Sequence, residues 1–224
     1  MLPLTLGLRP GSPLDLLCLG AHADDIEIGC GGTLLRLLGE RRRVRVHWVV
    51  FSADGVRGRE ARRSATRLLR GAAKVEIRLE RFRDGFLPYE GAAVKEVFER
   101  IKVEVEPDLV FTTCRDDAHQ DHRLVSELTW NTFRDHCILE YEIPKYDGDM
   151  GRPNVFVPLT DRIRRQKVRL LMSSFPSQLG KRWFTDTTFE GLMRLRGVEC
   201  AAPSGYAEAF YGRKIVLGPT EGAR

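Results

Sequence analysis

Apolar positions along the first two-thirds of the chain switch between two periods, and the switching predicts the elements. Leu14–Leu19 and the run RVHWVVF at Arg45–Phe51 are short, nearly continuous apolar stretches, the pattern of buried strands. Between them, Gly31–Glu40 carries leucines at 34, 35, 37 and 38 with Arg36 turned outward, a helix predicted to begin at a glycine pair. Arg59–Arg70 repeats that pattern, with Ala61, Ala65, Leu68 and Leu69 inward and arginines outward. KVEIRL at Lys74–Leu79 predicts a half-exposed strand, Val94–Val105 a helix stopped by Pro107, and Asp108–Thr112 a buried strand. Strand and helix in alternation predict an α/β fold: a Rossmann-like, mostly parallel sheet with helices on both faces.

Past Arg123 the pattern predicts a helix to about Arg134 and a turn-rich stretch from Tyr141 to Pro153. A short strand at Asn154–Val157, a helix at Thr160–Met172 and a less periodic tail of loops and short helices follow. No linker composition interrupts the chain. The expectation is a single domain over residues 1–224, with a core at about 14–172 and a C-terminal cap at about 173–224. In such sheets ligands bind beyond the carboxyl ends of the strands, where the strand order reverses.

Composition narrows the function classes only modestly. The chain has 224 residues, 42% apolar and 30% charged, enough for a core without disulfide support. Its net charge of +5 rests on arginine, 29 against 7 lysines, which leaves phosphate-bearing partners open. Most of these arginines fall on helix exteriors or, at Arg41–Arg43, at a helix end, and no aromatic residues are interleaved with the run at Arg162–Arg169. Nucleic acid is therefore not the expected partner. No apolar run approaches the roughly 20 residues of a membrane span, and the leucines near the start lack the flanks of a secretory signal. The five cysteines show no C-x-x-C spacing, so free thiols and a cytoplasmic location are expected.

Histidine is scarce, which sharpens the search for chemistry: there are five, His22, His47, His119, His122 and His136. His47 alternates within a strand and His136 ends a helix, so both are expected to be structural. His22 opens the turn Ala21-His22-Ala23-Asp24-Asp25 just beyond the first strand, ahead of G-C-G-G-T. One imidazole and two carboxylates in a single turn cannot be buried unpaired without severe cost. The glycines lack G-x-G-x-x-G spacing, and the aspartates before them would repel a pyrophosphate, so a dinucleotide site is not expected. The second cluster, Asp116-Asp117-Ala118-His119-Gln120-Asp121-His122, follows another predicted strand. Both loops lie on the same rim. His22 and His122 with one aspartate make a His₂Asp set, suited to zinc with an open fourth position, although iron(II) would also be accepted.

The paired motifs, A-H-A-D-D with G-C-G-G-T-L and H-Q-D-H about a hundred residues later, resemble those of the LmbE-like (PIG-L) zinc-dependent N-deacetylases. Ala23 and Gln120 stand where that family usually has proline. Arg57 and Glu60, then Pro153-Asn154-Val155-Phe156, Lys167, Ser177-Gln178 and Ala207-Glu208-Ala209-Phe210, extend the resemblance over most of the chain. The resemblance implies zinc ligation by His22, Asp25 and His122, with Asp24 as general base toward water. It implies His119 as a cationic electrophile and proton donor across the site, Asp121 as the residue orienting it, and Arg57 as a substrate contact. Glu27 competes with Asp24 for the base role. Arg59 and Arg115 would join Arg57 if the substrate is anionic, unless they pair with Asp54, Glu60 and Asp116.

The implied activity is removal of the N-acetyl group from an amino sugar, of the N-acetylglucosamine type, in a small-molecule conjugate. Two other readings stay open: a zinc amidase acting on a non-sugar amide, and a basic nucleic-acid-binding α/β protein without catalysis. A homo-oligomer is compatible with all of them.

Overall fold

A computed structural model describes residues 12–40 and 43–216. The leucine-rich start and Arg41–Arg42 lie outside them. In chain order the elements are β1 (Leu14–His22), α1 (Asp25–Glu40), β2 (Val44–Ser52), α2 (Gly55–Leu68), β3 (Lys74–Leu79), α3 (Gly91–Glu104), β4 (Leu109–Thr113), α4 (Gln120–Thr132), β5 (Cys137–Tyr141), β6 (Val155–Pro158), α5 (Asp161–Ser174), α6 (Asp186–Glu199) and β7 (Ala207–Gly212). The strands form one sheet in the order β3-β2-β1-β4-β5-β7-β6. All neighbours are parallel except β7, which runs antiparallel to both β5 and β6. This is the expected α/β, Rossmann-like architecture.

Strand alternation sorts the core into two layers. Leu14, Leu16 and Cys18 of β1 point into the layer with Ile26, Leu34, Ala65 and Leu171 from α1, α2 and α5. Leu17, Leu19 and Ala21 point the other way, against Val94, Phe98 and Val125 from α3 and α4. Helices thus cover both faces of the sheet.

Three readings of the sequence need correction. Helix α1 begins at Asp25, not at the glycine pair, and runs straight through the glycines. The reason is close packing. A Cβ on Gly29 would fall 2.1 Å from the Tyr141 ring, and one on Gly32 would fall 2.7 Å from Leu159 and 2.9 Å from Glu208. The backbone beside Gly32 is fastened as well. Glu208 accepts from the Gly32 and Thr33 amides at 2.8 and 2.6 Å and from Lys167 Nζ at 2.6 Å, and Lys167 also donates to the Ile28 carbonyl. Second, β5 and β7 are not legible as strands in the sequence, though they sit side by side within the sheet. Third, the segment read as loops and short helices holds the 14-residue α6, which opens on a Thr185 cap. None of the helices among the described residues is long and apolar enough to cross a membrane.

The strand order reverses between β1 and β4, which leave the sheet centre in opposite directions. Both put their carboxyl ends, at His22 and Thr113, beside the same crevice.

Candidate metal centre

Two helix N-termini meet in that crevice. Asp25 is the first residue of α1, and its Oδ2 accepts from the His22 amide at 2.7 Å. His119 is the N-cap of α4, its Nδ1 accepting from the Asp121 amide at 3.2 Å, which puts His122 in the first helical turn. The positive ends of both helices favour the carboxylates gathered there.

Three ligand atoms converge. His22 Nδ1 lies 3.1 Å from His122 Nε2 and 3.5 Å from Asp25 Oδ2, and His122 Nε2 lies 3.3 Å from that same oxygen. Donors about 2.1 Å from a tetrahedral zinc are about 3.4 Å from one another, so the set has the right size. Each imidazole also has its second nitrogen on a carboxylate. His22 Nε2 is 3.1 Å from Asp121 Oδ2 and 3.1 Å from Asp84 Oδ1, and His122 Nδ1 is 2.9 Å from Asp117 Oδ2. Those outer nitrogens carry hydrogen, so the inner ones present lone pairs to each other and to Asp25. Such a cluster requires a cation, either protons or a metal ion. His119 extends the possibilities: His22, His119 and His122, or His22, Asp84, His119 and Asp121, also bring one ligand atom each within 4.8 Å of the others.

Electrostatics agree. Burial opposes charge on His22 and His122, but Asp25 and the hydrogen-bonded carboxylates outweigh it. The His22 pKa is well above its ordinary value and that of His122 is raised to about 9. Burial also opposes ionisation of Asp25, but the two histidines overcome it and hold its carboxyl well below the usual range.

Asp24 is placed differently from Asp25. Its Oδ1 accepts from Arg57 Nη2, while its buried Oδ2 has no hydrogen-bond partner. Burial raises its pKa despite Arg57, and the charge of Asp25 adds to the rise. An unpaired carboxylate oxygen beside the cluster is the arrangement a general base needs.

Other expected residues occupy altered roles. Asp121 sets its carboxylate on His22 Nε2 and on the amides of Gly85 and Leu87, at 2.7 and 3.2 Å, and meets His119 only through its backbone N–H. Burial and the neighbouring charges of His22 and His122 lower the His119 pKa and so favour its neutral form. With Nδ1 accepting, its ring hydrogen lies on Nε2. Arg57 is committed to Asp24 and to Glu60 Oε2 at 3.1 Å, and Glu60 is itself held by the Ser177 amide at 2.9 Å. Arg115 stacks over Trp130. His47 sits in β2 with Nδ1 3.1 Å from Glu76, away from the site. Sequence reasoning missed Asp84 and Asp117 as histidine partners. Asp117 stood inside the second motif, but Asp84 lies on a loop with no local signal.

Glu27 lies two residues past Asp25 in α1, is 1% exposed, and neither of its carboxyl oxygens has a partner at hydrogen-bonding geometry. Ser64 Oγ, equally unpartnered there, faces it from α2. Burial pushes the Glu27 carboxyl from 4.5 up to about 8. The unfolded chain releases this proton near pH 4.5 and the folded chain holds it to about 8. Stability is thus greatest below 4.5 and falls as pH rises through that window. Glu27→Gln removes the slope. We expect equal stability near pH 4 and a gain for the variant on the order of 3 kcal/mol at pH 7, read from urea unfolding at both values. A difference independent of pH would contradict the buried, protonated carboxyl.

Comparison with known proteins adds three findings. The family model described as "PIG-L: GlcNAc-PI de-N-acetylase" matches residues 17–133. The Escherichia coli (strain K12) protein named uncharacterized deacetylase YaiS is 31% identical over 138 residues, 58% of this chain and 74% of that protein. Among solved structures, the conserved protein TT1542 from Thermus thermophilus superposes with a TM-score of 0.70 at 22% identity, covering 94% of this chain and 100% of the other. N,N'-diacetylchitobiose deacetylase from Pyrococcus horikoshii superposes at 0.66 and 23% identity, covering 92% and 87%. The two structural likenesses speak to the fold.

Proposed function

From the premise that the chain belongs to the PIG-L (LmbE-like) family, we propose that it is a zinc-dependent deacetylase. It removes the N-acetyl group from an amino sugar, of the N-acetylglucosamine type, in a small-molecule conjugate. The observation that carries this reading is the convergence of His22 Nδ1, His122 Nε2 and Asp25 Oδ2 beside the unpaired Asp24 Oδ2. His22, Asp25 and His122 would hold the ion. When bound, it polarises an amide carbonyl and lowers the pKa of water to about 7.

The protein groups divide the remaining work. Asp24 Oδ2 takes the proton from the attacking water, while Arg57 fixes the other oxygen so that Oδ2 stays aimed at the reacting atoms. His119 Nε2–H donates to the oxygen that gains charge as the carbonyl carbon becomes tetrahedral. The C–N bond then breaks, the amine leaves with the proton returned from Asp24, and the acetyl group departs as acetate. Asp121 and Asp117 keep the two imidazoles in the tautomers that face inward.

The same reading takes the chain as a single domain, since β7 from the C-terminal segment is hydrogen-bonded inside the sheet. It makes the protein a cytoplasmic enzyme, in keeping with five unpaired cysteines.

Metal analysis of protein purified without added metal, with acetate release from N-acetylglucosaminides and N-acyl amino acids, tests the proposal. We expect close to one zinc per chain and turnover of the glucosaminides. Preference for acyl amino acids would make the protein a non-sugar amidase. No divalent metal and no reconstitution by zinc, with strongly salt-dependent polynucleotide binding, would replace the enzyme reading altogether.

A further inference from the structure

Lys145 lies on the segment after β5, outside both histidine motifs and outside the residues matched by the family model. Its side chain is only 9% exposed. Nζ stands 3.0 Å from Asp117 Oδ1 and also donates to Asp149 Oδ2. Asp117, itself buried, accepts from the His119 amide on Oδ1 at 2.7 Å and meets His122 Nδ1 through Oδ2 at 2.9 Å. Asp149 in turn accepts from the Ala118 amide at 2.7 Å. A half-buried ammonium thus closes on the turn that carries the carboxylate behind His122.

We infer that Lys145 is a positioning residue of the metal centre: it fixes the Asp117 carboxylate that orients the His122 imidazole. Asp117 has one oxygen for His122 and one for the Lys145–His119 side. With Lys145 in place both oxygens are engaged, so the carboxylate plane cannot turn and Oδ2 stays on Nδ1. Nε2 is then the only nitrogen His122 can present toward His22 and Asp25. Without the ammonium a single backbone amide holds Oδ1, and the plane is less firmly held against the ring. Carboxylates that orient a ligand in this way typically change metal affinity by about 10–100-fold, and Lys145 acts through one of them. The site therefore draws on a loop remote in sequence from its motifs.

The inference rests on the metal reading of His22, Asp25 and His122. Its test uses zinc alone, titrated into the stripped full-length protein against a chromophoric chelator. Cobalt(II) absorption provides a second readout of ligand geometry. Lys145→Met should weaken zinc binding about tenfold and change the cobalt spectrum. Lys145→Arg should recover part of the loss. Asp117→Asn should weaken binding at least as much, and the double variant should be no weaker than Asp117→Asn alone, since both act through one path. Asp149→Asn, whose amide oxygen can still accept from Lys145 and from the Ala118 amide, should lose less zinc affinity than Lys145→Met. If Lys145→Met does not fold, Lys145→Gln carries the same comparison.

Zinc affinity unchanged in the lysine variants, even with a lower Tm, would leave Lys145 a structural residue and overturn the inference. So would additive losses in the double variant, or an equal loss in Asp149→Asn, which would assign the effect to the loop as a whole. A wild-type protein that takes up no zinc would overturn the metal reading itself, and the inference with it.

Discussion

Asp24→Asn is expected to keep its zinc and lose between about 10² and 10⁴ of kcat on an N-acetylglucosaminide, with little change in KM. The substitution is nearly isosteric, and the asparagine carbonyl can still accept from Arg57, so the ion pair network around Glu60 and Ser177 has no reason to rearrange. What changes is the second position. The buried, unpartnered Oδ2 becomes an amide NH₂, a donor where the reaction needs an acceptor. Asp24 is not among the three atoms that converge on the ion, so zinc content separates this variant from a ligand variant. The acid limb of the wild-type kcat profile should report the deprotonation that frees Asp24 to accept a proton. The variant should lose that limb. Retained turnover with zinc in place would move the base role to Glu27, the other carboxyl with free oxygens at the start of α1.

The division between what the chain's pattern announces and what it conceals is physical. Period-two and period-3.6 runs mark β1, β2, α2 and β4 because each of these buries one continuous face or both. The histidine motifs are legible because the turn that ends a central strand is where such a fold exposes side chains to a ligand. The start of helix α1 is hidden because glycine ordinarily opposes helix. Here the cost of about 1 kcal/mol per glycine is offset by contact with Tyr141, Leu159 and Glu208, all distant in sequence. Strand β7 is short and arrives from the far end of the chain, so only pairing with β5 and β6 defines it. The site divides in the same way. His22, Asp25 and His122 lie on local motifs, whereas Asp84 and Lys145 reach them from loops whose approach the sheet topology decides. Arg57 is legible as a site residue, but its hold on Asp24, 33 positions away, is not.

His122→Ala should cost more than any other single change at the centre: zinc affinity should fall beyond the about 10–100-fold typical of an outer partner, and turnover should fall with it. Removing the imidazole also takes one partner from each of two carboxylates, Asp25 and Asp117, both nearly inaccessible to water. Loss of a hydrogen-bonded partner to a buried charge is destabilising, so a lower Tm is expected as well, and zinc affinity must be measured below it. Proton linkage distinguishes loss of a ligand from simple instability. In the metal-free wild type the His122 pKa is raised from 6.5 to about 9, so its contribution to stability is full below 6.5 and is lost as pH rises through 9. Zinc must displace that proton, so its affinity, and the stabilisation it confers, should increase over the same window. The two trends oppose each other in the wild type, and His122 contributes to neither in the alanine variant. A zinc titration of His122→Ala at pH 6.5 and pH 8.5 with unchanged affinity and the wild-type pH dependence would show that His122 is not a ligand, and the His₂Asp centre would have to be rebuilt around His119.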